Sequence, residues 1–360
     1  MSKLPLDRRS FLAGSATAAA TTIGAPAYAR SERRWKMVTC WQKNFPGIGT
    51  GAQRIADRIT ELSDGELTIK LFAAGEFVPA FEVFDAVREG KAEMGHDSPY
   101  YWISKNRSTA FFGSVPGGLA PLEQIAWIRY GGGQELWDEL YSRYGLKAFV
   151  AGNAGMQMIG WFRKRLESLA DLQGLRVRMA GLQSEVLARL GATTINLPGG
   201  EVMPSLQSGV IDAAEWGGPW MDLAHGFYKV APYCYGPGVH EPGTTLSLMV
   251  NKEAFEELPK RLQSLVQVAA EAETTQMLAE FTSNNALALE RLIQDYGATI
   301  ERLPADILAR WFEVSDEVVA ETAADDEINQ RIYDNWSDFR RRSIGIAGMA
   351  ELGFLNARAG

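Results

Sequence analysis

The stretch from Gly174 to Pro219, GLRVRMAGLQSEVLARLGATTINLPGGEVMPSLQSGVIDAAEWGGP, decides the fold class. Its pattern predicts a short apolar strand ending in Arg178, a helix over Ser184 to Leu190 and a strand over Thr193 to Leu197. A second helix is entered at Gly200-Glu201. The stretch closes on an acidic-aromatic pair, Glu215-Trp216, before a Gly-Gly-Pro turn. Strand, helix, strand, helix, strand is the rhythm of an α/β sheet, whose ligands sit beyond the carboxyl ends of the strands. Arg178 and Glu215 both fall at such ends. They are expected to face one cleft and share a small anionic ligand there.

The same rhythm runs upstream. Trp35 to Cys40 reads as a first strand, and Gly49-Thr50-Gly51 leads into a helix with Ile55, Ile59 and Leu62 on one face. Leu67 to Phe72 is a second strand, a helix runs from Pro79 to near Gly90, and Ala92 to Gly95 is a short third strand. Repeated βα units predict a mainly parallel sheet. The turn GIGTG lacks the Walker lysine and the GxGxxG spacing, which argues against a phosphate cradle. The aromatic run Tyr100-Tyr101-Trp102 sits just past a strand end. Core packing is the ordinary reading of such a run, but the placement leaves Tyr100 and Tyr101, with Trp41, open as pocket lining. Leu122 to Tyr144 is helical and broken near Gly131-Gly132-Gly133, and strand-like Leu146 to Val150 follows. Asn153 to Trp161 reads as an apolar strand with Gln157 inside it. A buried amide needs a partner, which can be the backbone, a ligand or a metal.

Downstream, Pro219 to Tyr228 is helical, and Tyr233 to Pro242 reads as a Gly/Pro-rich loop containing His240-Glu241-Pro242. Thr244 to Val250 is a strand, with Asn251 capping the next helix. Pro259 to Asp295 is almost unbroken helix, about 55 Å long at ~1.5 Å per residue, so it must bend or bridge two domains. Thr299 to Arg302 is a short strand. Pro304 to Gly345 is helical, and a small amphipathic piece ends the chain. With neither internal repeat nor low-complexity linker, the two domains are expected to be joined by ordered crossings.

The chain has 360 residues, 46% hydrophobic and 22% charged, as expected for two globular domains. Asp7-Arg8-Arg9-Ser10-Phe11-Leu12 is a twin-arginine pattern. An apolar stretch and Ala27-Tyr28-Ala29 complete an export signal over residues 1–29, with maturation near Arg30 in the periplasm. The formal charge is −8; residues 1–29 carry Lys3, Arg8, Arg9 and Asp7, so the remainder carries −8 − 2 = −10. That excess disfavours nucleic acid as a partner and gives weight to any arginine inside a cleft. Cys40 and Cys234 allow one disulfide, which the periplasm permits, but two isolated buried thiols are the favoured reading. Three histidines (His96, His225, His240) without CxxC or HExxH argue against a zinc centre.

Several motifs together resemble the DctP-type substrate-binding proteins of TRAP (tripartite ATP-independent periplasmic) transporters. They are Gly174-Leu175-Arg176-Val177-Arg178 with Gly181, GATTINLP at 191–198, EVMPSLQSGVID at 201–212, and the export signal. Ala214-Glu215-Trp216-Gly217-Gly218-Pro219 and His240-Glu241-Pro242-Gly243 are similar to the branch that binds 2-oxo or 2-hydroxy acids with a sodium or calcium ion. The resemblance covers essentially the whole mature chain. It implies an α/β, two-domain periplasmic binding protein fold with a cleft, hinge crossings and long bridging C-terminal helices. The expected division is 30–153 with about 243–283 in domain I, 154–242 with about 284–303 in domain II, and 304–360 as helices bridging both and forming a homodimer. Arg178 matches the arginine that grips the ligand carboxylate. Gln157 and Glu215 match side-chain metal ligands, and Trp216 matches a backbone-carbonyl ligand. Glu241 falls where the branch commonly places an amide, and this departure bears on which ion is held. The implied partners are a small organic acid anion and the small and large TRAP membrane subunits.

The chemistry agrees with those roles. Guanidinium is planar, permanently charged and bidentate toward carboxylate. A hard cation held by oxygen ligands accepts a carboxylate oxygen and the neighbouring 2-oxo or 2-hydroxy oxygen together. Two glutamates against +2 and one arginine against the ligand's −1 favour calcium over sodium. Exposure of Glu241 at the cleft mouth, or pairing with Lys229, would let sodium suffice. The rival classes are a metal-assisted enzyme using His240 as base, and a sensory ligand-binding domain; GxSxG is absent. The apolar residues Trp311, Phe312, Ile332, Tyr333 and Trp336 are expected to supply the dimer surface. Trp41, Tyr100 and Tyr101 are expected to read the ligand's tail.

Overall fold

The computed structural model describes residues 32–324 and 326–359; the twin-arginine stretch and the maturation site lie outside them. Among the described residues, the strands form two sheets. The first contains β1 (Arg33–Thr39), β2 (Leu67–Phe72), β3 (Met94–Asp97), β4 (Leu146–Asn153) and β10 (Thr245–Asn251), in the order β2-β1-β3-β10-β4. The second contains β5 (Gly160–Phe162), β6 (Arg176–Arg178), β7 (Thr193–Ile195), β8 (Ala213–Ala214), β9 (Tyr233–Gly236) and β11 (Thr299–Arg302), in the order β11-β9-β5-β8-β6-β7. This is the mixed α/β, two-lobed architecture that the sequence predicts.

Each sheet contains one reversed strand. β1 runs parallel to β2 and β3, while β10 is antiparallel to both β3 and β4. In the second sheet β5 alone opposes its neighbours, β8 and β9. β5 and β10 are the strands by which the chain enters a new sheet through a short segment, residues 154–159 and 237–244, whereas β11 re-enters the second sheet after a long helix. A strand that comes in from the cleft edge must run against strands that run out toward it. The strand predicted over Asn153 to Trp161 is therefore split. β4 ends at Asn153, a crossing follows, and Gln157 lies in that crossing. The predicted loop from Tyr233 is also corrected: Tyr233–Gly236 is strand β9, parallel to β11.

The helix Ile48–Leu62 buries Ile48, Ala52, Ile55 and Ile59, a single stripe facing the first sheet. The glycines of GIGTG serve close packing: a Cβ on Gly51 would stand 2.3 Å from Met277 Cε and 2.9 Å from Glu273 Oε1. Glu273, fully buried on the long helix, accepts from Arg54 (2.6 Å) and Arg58 (3.3 Å) of that first helix. The long helix is one piece, Lys260–Gln294, about 52 Å at ~1.5 Å per residue. It packs on β4 at one part of its length and on the helix Pro219–His225 at another, so it spans both sheets. Asn285 on it accepts the backbone N–H of Trp220 at 3.0 Å. Cys40 and Cys234 are both buried free thiols.

The C-terminal helices correct one expectation. Trp311, Ile332 and Trp336, offered by the sequence as dimer surface, are buried within their own chain. Trp336 packs edge-on against Phe111 at 5.2 Å, and Asn335 accepts from Trp127 Nε1 at 2.7 Å. Periodicity alone cannot tell a self-packed apolar stripe from a partner-seeking one. Of that set Phe312 is exposed, and further exposed apolar residues follow it: Ile344, Ile346, Met349 (92% exposed) and Phe354. The last helix, Glu351–Ala359, buries nothing. No helix among the described residues is long and apolar enough to cross a membrane.

Candidate functional site

The topology brings four strand ends to one edge of the second sheet. β6 and β8 are parallel neighbours, pairing Arg178 with Ala214, so Arg178 and Glu215 leave the sheet side by side. β9 runs the same way and feeds the segment that carries His240 and Glu241. Reversed β5 starts at that edge at Gly160, three residues after Gln157. Glycine at 238 permits the closest approach: a Cβ there would sit 2.4 Å from the carbonyl oxygen of Gln157.

Arg178 is 2% exposed and Glu215 1%. Arg178 Nη1 donates to Glu215 Oε2 at 2.6 Å and to the Glu215 carbonyl at 2.8 Å, and Nε donates to the Leu197 carbonyl at 3.3 Å. Among the described residues Nη2 has no acceptor, which leaves two N–H groups for an anion. The guanidinium stacks on the Trp216 ring at 4.8 Å. Arg178 and Glu215 thus pair directly, a contact that the expectation of a shared ligand in one cleft does not itself include. Burial alone would raise the pKa of Glu215, but Arg178 and His240 outweigh it and hold the carboxyl below its ordinary value.

The second half of the site surrounds Glu241, which is fully buried; neither solvent nor Lys229 is its partner. Thr244 Oγ1 donates to Oε2 at 2.7 Å, Gln157 Nε2 donates to Oε2 at 3.1 Å, and Gln183 Nε2 donates to Oε1. Burial, reinforced by the charge of Glu215, lifts the Glu241 pKa to about 7. His240 is fully buried, with Nε2 3.7 Å from Glu215 Oε1. One ligand atom each from Glu215, His240 and Glu241 lie within 4.8 Å of one another.

The donor set fits a hard cation. Gln157 Oε1 and Gln183 Oε1 are buried without a hydrogen-bond partner. The Trp216 carbonyl also accepts no hydrogen bond among the described residues. Unpaired buried oxygens are costly, and several around one carboxylate pair are what calcium or sodium requires.

The aromatics stand on the opposing side. Tyr100 and Tyr101 follow β3 and pack edge to face at 5.0 Å; Trp41 follows β1, lies 6.0 Å from the Tyr101 ring and donates from Nε1 to His96 Nδ1 at 2.7 Å. Burial raises both tyrosine pKa values, with Glu241 the next cause for Tyr100, while the charge of Arg178 pulls Tyr101 the other way. All of the predicted residues are therefore brought to one region. Sequence reasoning missed Gln183 and Thr244, and placed His240 beside Glu241 only as the base of a rival enzyme. It also missed Phe45, which reaches His225 at 4.7 Å and Trp216 at 6.3 Å. Gln183, in the first turn after Arg178, was the nearest to legible.

The family model for bacterial extracellular solute-binding protein, family 7, matches residues 38–326. A monocarboxylate 2-oxoacid-binding periplasmic protein of Nostoc sp. is 39% identical over 323 residues, 90% of this chain and 88% of the relative. A TRAP transporter solute-binding protein from Bordetella bronchiseptica, a mixed-occupancy dimer with copurified calcium and picolinate in one active site, matches at TM-score 0.88 and 36% identity, covering 91% of this chain and 99% of that one. A TRAP periplasmic solute-binding protein from Pseudoalteromonas atlantica, solved with sodium and pyruvate, matches at TM-score 0.87 and 38% identity, covering 90% and 99%.

Proposed function

This chain belongs to family 7 of the bacterial extracellular solute-binding proteins, the periplasmic binding proteins of TRAP transporters, and from that membership we propose which solute it captures. The ligand is a small 2-oxo or 2-hydroxy monocarboxylate, held as a chelate with a calcium or sodium ion and delivered to the two membrane subunits. The observation that carries this reading is the buried cluster of Arg178, Glu215, Gln157 and Glu241, with acceptor oxygens left unpaired beside a guanidinium that has two free N–H groups. Arg178 Nη2 fixes the ligand carboxylate, while the Glu215 carboxylate and carbonyl hold the guanidinium in plane. Gln157, Glu215, Glu241 and the Trp216 carbonyl hold the ion, and Thr244 and Gln183 orient Glu241. When bound, the ion supplies a hard centre that accepts a carboxylate oxygen and the C2 oxygen in one five-membered ring. Trp41, Tyr100 and Tyr101 wall off the tail and exclude water. Calorimetry should give heats with pyruvate and lactate and none with acetate or propionate, which lack the C2 oxygen. Equal affinity for propionate would defeat the chelate. Mass spectrometry of acid retained on the purified protein identifies the natural ligand.

The protein binds its ligand without transforming it. Incubation with pyruvate or lactate should leave both unchanged; turnover that is lost in a His240 variant would establish an enzyme instead. The lobes are 30–153 with about 243–283, and 154–242 with about 284–303, and the helices of 304–360 lie across both. Sheet membership supports this division, since β10 returns to the first sheet after β9 in the second. The crossings carry Gln157 and Glu241, so the ion ties the hinge segments to one another.

The chain forms a homodimer through its last helices. The exposed row of Ile344, Ile346, Met349 and Phe354, and the dimeric Bordetella bronchiseptica relative, support this. Light scattering should give twice the chain mass. Truncation after Ser343, which removes the whole row, should give a monomer with unchanged ligand affinity; a full-length monomer would refute the dimer.

A further inference from the structure

The reading above assigns oxygen ligands only, yet His240 stands among them with both ring nitrogens buried and without a hydrogen-bond partner. At 3.7 Å, Nε2 is too far from Glu215 Oε1 for a hydrogen bond. A fully buried imidazole with both nitrogens idle is expensive. It becomes explicable if one nitrogen has another task. Among the described residues, geometry groups it with one oxygen each from Glu215 and Glu241, all three ligand atoms within 4.8 Å of one another.

We propose that His240 is itself a metal ligand through Nε2, alongside Glu215 and Glu241, and that the site consequently takes first-row transition dications as well as hard cations. The inference rests on the reading that this cluster holds an ion, and adds the class of ion. Neutral imidazole is a borderline base that suits zinc, cobalt and copper, and offers little to calcium or sodium. Two carboxylates and an imidazole form a set that binds zinc-class ions in the absence of any organic acid. Glutamines 157 and 183 steady one carboxylate and Arg178 the other, so both carboxylate ligands are supported by neighbours as metal ligands require.

The test uses the full chain, stripped with chelator and titrated with Co²⁺, Zn²⁺ or Ca²⁺ alone. One Co²⁺ per chain is expected, with the visible absorption of nitrogen-ligated cobalt. His240→Ala and His240→Gln should each weaken Co²⁺ and Zn²⁺ by about 10- to 100-fold and weaken Ca²⁺ by a clearly smaller factor. Co²⁺ binding no tighter than Ca²⁺, or unchanged transition-metal affinity in folded variants, would overturn the assignment. Should the variants not fold, the wild-type cobalt spectrum decides, because an all-oxygen spectrum excludes His240. Calcium-supported pyruvate binding is measured on the same preparation. Its absence alongside nitrogen-ligated Co²⁺ would refute the solute reading and leave His240 standing, and the converse result would remove His240 alone.

Discussion

Arg178→Ala is expected to lower affinity for pyruvate-class acids by roughly 30- to 4,000-fold, the equivalent of ~2–5 kcal/mol for truncating one partner of a buried charge pair. The side chain is 2% exposed, and its Nη2 alone is uncommitted among the described residues. The direct pair with Glu215 raises a second possibility, that the loss comes from a stranded glutamate rather than a missing ligand contact. Arg178→Ala combined with Glu215→Gln separates the two. If Arg178 acts only by neutralising Glu215, the double variant regains affinity; if it grips the carboxylate, affinity stays low. Arg178→Lys should recover little, because a point charge does not replace a planar fork held at three of its hydrogens. Calorimetry on folded Arg178→Ala showing less than about a threefold loss would end the assignment.

Chelation is expected to have an effect of similar size. Within the cluster Arg178 offsets Glu215, and Glu241 has no cation of its own. With Glu241 ionised and a ligand carboxylate added, sodium leaves one buried negative charge and calcium leaves none: +1 + 2 − 1 − 1 − 1 = 0. An uncompensated buried charge costs ~3–5 kcal/mol, so removal of calcium should weaken 2-oxo acid binding by about 150- to 5,000-fold. After exhaustive chelation, calcium should restore affinity and sodium should not. Glu241→Gln, which keeps the shape and removes the charge, should shift the preference toward sodium. Full affinity in chelated buffer containing only sodium would rule calcium out, and Glu241→Gln would then be nearly silent. Glu241 being buried removes the alternative in which it points to solvent.

Much of this could be read from the chain alone, for a definite reason. Strand β2 falls on Leu67–Phe72 as the periodicity predicts, and the long helix is Lys260–Gln294 against a predicted Pro259 to Asp295. Arg178 and Glu215 do leave neighbouring parallel strands, because local pattern sets where a strand ends and parallel order sets which ends share an edge. What local pattern cannot contain is strand direction and contact across the sheets. Gln157 sits in an apolar run that reads as strand, but reversal of β5 makes that run a crossing. Trp336 looks the same on a helical wheel whether it packs on Phe111 or on another chain. The direct Arg178–Glu215 pair, the three donors on Glu241 and the unpaired nitrogens of His240 depend on side chains converging from segments up to 84 residues apart. Local pattern along the chain sets the α/β rhythm, the strand ends that bear charge and the chemistry each charge can perform. Which of those charges neutralise one another is set in the folded state, because Coulomb energy and hydrogen bonding at about 3 to 4 Å depend on distances that no spacing along the chain encodes.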